Sequence, residues 1–66
     1  MEKYIERMEQ EHNDLKDKIE ALNVFIYKGE LFKTLEPLEQ VSLCKQLAHM
    51  EAYLRELYGR LWRTHN

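Results

Sequence analysis

The sequence predicts an all-α fold: an antiparallel two-helix hairpin with a short helical turn in its connection, assembling into a homo-oligomeric helical bundle. Three observations carry that expectation. Apolar residues recur in alternating steps of three and four along two long stretches, the spacing of helices packed lengthwise on one another. Breakers are scarce, two glycines and one proline in 66 residues, and Gly29 and Pro37 fall between the two stretches. Finally, the block ALNVFIY (21–27) is apolar all round its helix, which is more surface than one neighbouring helix covers.

The first helix spans about residues 2–28, with Ile5, Met8, His12, Leu15, Ile19, Leu22 and Ile26 along its seam. Lys28 in the last turn and Gly29 just beyond it form a C-terminal stop signal. Residues 29–36 make the connection. Leu31, Phe32 and Leu35 are too apolar for a bare loop and predict one helical turn that plugs the end of the hairpin. The second helix spans about 37–63. Pro37 suits its first position, where the missing N–H has no intrahelical partner, Glu36 is placed to cap, and Glu39 favours the positive end of the dipole. Its seam is Leu43, Leu47, Met50, Leu54, Leu57 and Leu61. Each helix is about 40 Å long at 1.5 Å per residue, and the short connection makes the two antiparallel. Asp14 with Lys18, Glu51 with Arg55 and Glu56 with Arg60 are acid-first pairs one turn apart, each worth ~0.3 kcal/mol.

The whole chain, 1–66, is one helical-hairpin domain. A chain this short buries only about 60% of its unfolded surface. Its single cysteine, Cys44, rules out an internal disulfide, and no Cys/His spacing fits a structural zinc site. Oligomerisation is the remaining source of stability, with Val24, Phe25, Tyr27 and Phe32 as the expected oligomer interface. No apolar run approaches the ~18 residues of a membrane span, and MEKYIERMEQ lacks a signal-peptide core, so a cytoplasmic location is expected. The net charge of −2 hides a gradient: residues 1–28 hold seven acids and five bases, and residues 53–66 hold one acid and three bases. A mildly acidic chain with a basic end is poorly suited to duplex DNA, whose binding rests on many phosphate contacts at once.

That basic end, YLRELYGRLWR (53–63), is the candidate site. Arg55, Tyr58 and Trp62 share one shoulder of the helix with Glu51, Tyr53 and Arg60 share the other, and Arg63 follows. Flat rings beside guanidinium groups are what a purine base and its phosphate require, by stacking and bidentate hydrogen bonding. The same residue types are favoured at protein interfaces, so both readings stand on these residues. His12 in the seam reads as a residue that fixes register, His49 points away from the core, and His65 lies in the tail, so no metal site is expected. Cys44 reads as a small buried hydrophobe on the Tyr58 shoulder. A bare hairpin offers no concave pocket for positioned acids and bases, so neither enzymatic activity nor a cofactor is expected.

LKDKIEALNVFI (15–26), GELFKTL (29–35) and EQVSLCKQLAHMEAYLRELYGRL (39–61) resemble the small helical-hairpin proteins of tailed phages and prophages. The shared pattern is a Lys- and Glu-rich first helix ending in an apolar block, a Phe-containing turn, and a second helix with the rhythm of Gln46, Leu47, Met50, Tyr53 and Leu57. These look like the hairpin module of phage sponge proteins that counter CBASS and Thoeris defence. The resemblance implies a non-enzymatic homo-oligomer in the host cytosol that sequesters cyclic nucleotide or cyclic ADP-ribose-type signals between protomers. Its alternative is a helical protein-binding module that inhibits a host defence protein or enzyme. No sponge ligand residue transfers position by position, so the ligand assignments rest on this sequence: Arg55, Arg60 and Arg63 for phosphate, Tyr58 and Trp62 for bases, with Tyr53 on the second shoulder.

Overall fold

The computed structural model describes residues 2–65, with side chains from Lys3 to Thr64; the side chain of His65 lies outside the described part. Two antiparallel helices, α1 (Glu2–Lys28) and α2 (Pro37–His65), are joined through a 3-10 turn at Leu31–Thr34. They form a rod of 46 × 15 × 15 Å. Both helices follow the expected boundaries, except that α2 runs two residues past the expected end at 63. Among the described residues no helix is long and apolar enough to cross a membrane.

The seams meet as their spacing requires, but they close unevenly. Met8, Ile19, Ile26, Leu47 and Leu57 are buried, Leu57 completely, while Leu15, Leu22, Leu43, Met50 and Leu54 are only half covered. A pair of helices has no third layer. Only the seam residues aimed straight at the partner helix lose all their solvent; those a little to either side stay open.

The connection is a built plug. The Phe32 ring meets the Phe25 ring edge to face at 6.1 Å, and both rings pack against the core. The Phe32 carbonyl accepts the Leu35 N–H at 3.2 Å and the Gln40 side-chain amide at 2.9 Å, which ties the turn to the first turn of α2. Glu36 occupies the N-cap position of α2, its carbonyl accepting the Gln40 N–H at 3.0 Å as the first bond of the helix, but its side chain makes no capping bond.

Gly29 follows the last residue of α1 as the stop signal predicts, and it does so without a left-handed backbone, since no glycine has positive φ among the described residues. Its N–H continues the ladder to the Phe25 carbonyl at 3.2 Å, and a Cβ there would lie 2.5 Å from that carbonyl oxygen. Glycine is required for close approach rather than for backbone handedness. The acid-first pairs are a correction: they do not close within 4.0 Å, and Asp14 instead accepts the Gln10 amide at 2.9 Å. Exposed pairs gain too little to immobilise two long side chains. An exposed contact of 3.8 Å does join Lys33 to Glu30.

Candidate functional site

The antiparallel pairing brings the second half of α2 beside the first half of α1 and divides the aromatic and arginine cluster between two flanks. On the first flank the predicted residues are tied down. The Tyr53 hydroxyl donates to the Glu11 carboxylate, and the Arg60 guanidinium donates to the Tyr4 hydroxyl while lying 5.9 Å from the centre of its ring. The bond to Glu11, with a smaller contribution from desolvation, raises the Tyr53 pKa above the ordinary phenol value, because ionisation would remove the donor and set two anions side by side.

The second flank is open. His12 and Tyr58 approach with ring centres 6.3 Å apart, and together with Leu54 and Arg55 they line a shallow groove of about 390 Å³. Trp62 follows one turn further on; Tyr58 and Trp62 expose 61% and 58% of their surface. Toward the bend, the same flank holds a second hollow of about 460 Å³, lined by Phe32, Gln40, Val41, Cys44, Lys45 and Ala48. Cys44 is exposed here rather than buried as expected. It lies one residue past the seam residue Leu43, which turns it ~100° away from α1.

Arg55 and Tyr58 are therefore brought together, with Trp62 along the same edge, whereas Tyr53 and Arg60 occupy the opposite flank. Arg63 folds back toward Gly59, where a Cβ would lie 3.6 Å from its Nη1. Of the four residues expected at an oligomer interface, Phe25 and Phe32 take each other as partners within the chain, while Val24 and Tyr27 are exposed. His12, half-buried, has Nδ1 3.3 Å from the Asn13 amide oxygen, and His49 is exposed. Among the described residues no three His, Cys, Asp or Glu side chains converge on a metal-sized site.

Sequence reasoning missed Tyr4 and Glu11, the partners that decide what Tyr53 and Arg60 do. The signal was available in the register: each pair lies nearly equally far on either side of the bend, so an antiparallel hairpin had to set them side by side.

Comparison with known proteins finds one family model, described as Sequestin, that matches residues 2–63. No curated protein and no solved structure matches significantly.

Proposed function

From the premise that the chain belongs to the Sequestin family, we propose that it is a phage-encoded sponge: it binds a cyclic nucleotide or cyclic ADP-ribose-type immune signal of the bacterial host without turning it over. Binding takes place in the host cytosol and works by mass action, each assembled protein removing signal in proportion to its sites. The family's name denotes sequestration, in keeping with a chain whose features are recognition groups rather than positioned acids and bases.

The observation that carries this reading is the open flank. Tyr58 and Trp62 are large rings more than half exposed, and Arg55 stands on the same edge without Glu51 closing on it. Stacking a base on such a ring contributes about 1–3 kcal/mol, and an arginine on a phosphate adds a charge-assisted bidentate bond. Arg60 and Arg63 supply further positive charge at the end of the rod. A ligand with two or three phosphates needs more cations than the three arginines of this segment, and a second copy doubles them.

The test is a thermal-shift panel of cyclic dinucleotides, cyclic trinucleotides and cyclic ADP-ribose isomers. A ligand specific to the folded state stabilises it by RT ln(1 + [L]/Kd), about 2.7 kcal/mol at a hundredfold excess over Kd. One member of the panel should shift the transition by several degrees, and Arg63→Ala should weaken that response. A panel that leaves the transition unmoved overturns the sponge reading and favours the protein-binding alternative.

A further inference from the structure

His12 stands in a seam whose other residues are all apolar: Ile5, Met8, Leu15, Ile19, Leu22 and Ile26. A polar residue in such a seam costs stability, and it fixes register when it hydrogen-bonds across the contact. His12 does not do so. Its hydrogen bond stays on α1, with Nδ1 3.3 Å from the Asn13 amide oxygen, and toward α2 it meets the Tyr58 ring. What the half-buried imidazole does face is the shallow groove of the open flank, which it lines with Leu54, Arg55 and Tyr58.

We propose that His12 is the residue of this groove that recognises the base: its Nε2 accepts a hydrogen bond from the amino group of a nucleobase stacked on Tyr58, while Arg55 holds the phosphate. The inference rests on the nucleotide reading of the open flank and narrows it to nucleotides whose base carries an amino group.

The placement of the proton follows from Asn13. An amide oxygen only accepts, so the hydrogen bond at Nδ1 puts the imidazole proton there. In the neutral ring Nε2 is then an acceptor, suited to an N–H of the ligand and not to a phosphate oxygen. Arg55 is the opposite, a fork of N–H donors with no acceptor. The two side chains thus divide a nucleotide between them, the anion going to one and the amino edge to the other. Tyr58 supplies the surface in between. Its ring is 61% exposed and stands 6.3 Å from the imidazole at 39°, an angle at which two rings neither stack flush nor meet edge to face. The face of the phenol is therefore left for a base. Because His12 comes from α1 and Arg55 and Tyr58 come from α2, the site is built across the hairpin and neither helix carries it alone.

An acceptor in this position discriminates by what happens when its donor is missing. A base without the amino group covers Nε2, takes away its water and offers no hydrogen bond in exchange. In a shallow groove that loss is about tenfold in affinity.

The experiment uses two probes that differ in one group, adenosine 5′-monophosphate and purine riboside 5′-monophosphate, which lacks the amino group. Each is titrated into the full chain and followed by NMR. The wild type should bind adenosine monophosphate about tenfold more tightly, with the His12 ring signals moving as it binds. His12→Leu should bind both probes with the weaker affinity, while its thermal transition stays at or above that of the wild type, because leucine continues the seam. A transition lowered by several degrees would return His12 to a structural role and overturn the proposal. So would equal binding of the two probes by the wild type, a preference that survives His12→Leu, or no binding of adenosine monophosphate at millimolar concentration. If the thermal-shift panel finds a ligand while the two monophosphates bind alike, the sponge reading stands and the role of His12 falls. A tenfold preference beside an unmoved panel gives the reverse.

Discussion

At the scale of single residues, Gly29 and Tyr53 show how local geometry sets consequences that residue type alone does not. A Cβ at Gly29 would lie 2.5 Å from the Phe25 carbonyl oxygen, which is backbone and cannot swing aside. Gly29→Ala should therefore cost ~1–2 kcal/mol in urea unfolding, despite alanine's better helix propensity. Tyr53 makes a pH prediction. Its hydrogen bond to Glu11 holds the phenol above its ordinary value of 10.0 in the folded chain. The folded state thus keeps a proton that the unfolded state releases first. The contribution is fully present below the unfolded value and is lost as pH rises through the folded one, so stability should fall more steeply above pH 10 than in Tyr53→Phe. NMR titration of the ring carbons should place Tyr53 above an unperturbed phenol. The glycine's position at the end of α1 was readable from sequence, but its reason was not, because a stop signal does not state which backbone conformation delivers it.

Among the elements, the seams were the most legible feature, because leucine and isoleucine in steps of three and four leave little choice of partner. The depth of each seam residue was not legible. Leu57 has no exposed surface while Leu61, one turn on, is half covered, a difference that depends on how the α1 end meets α2. Leu57→Ala should cost about 2–5 kcal/mol. A chain of this size has a total stability of only about 3–10 kcal/mol. Leu57→Ala should then have lost most of its far-UV helical signal at 37 °C while Leu61→Ala keeps a cooperative transition. The candidate ligand residues were legible as types and as groups, Arg55 with Tyr58 on one shoulder and Tyr53 with Arg60 on the other, whereas the partners Tyr4 and Glu11 that tie the second pair down across the hairpin were not.

For the whole molecule, the deciding fact is that a rod 15 Å across has no interior beyond one line of contact. If a second copy covers the open flank, stability is shared with that copy. If folding and pairing are one equilibrium, each tenfold rise in protein concentration adds RT ln 10, about 1.4 kcal/mol, to the paired state. Unfolding entropy of about 2.1 cal/mol/K per residue, summed over two chains of 66 residues, is close to 0.3 kcal/mol/K. The transition temperature should therefore climb by about 5 °C per decade of concentration, read by circular dichroism between micromolar and millimolar protein. A transition temperature independent of concentration in the wild type would mean that the line of contact within one chain suffices.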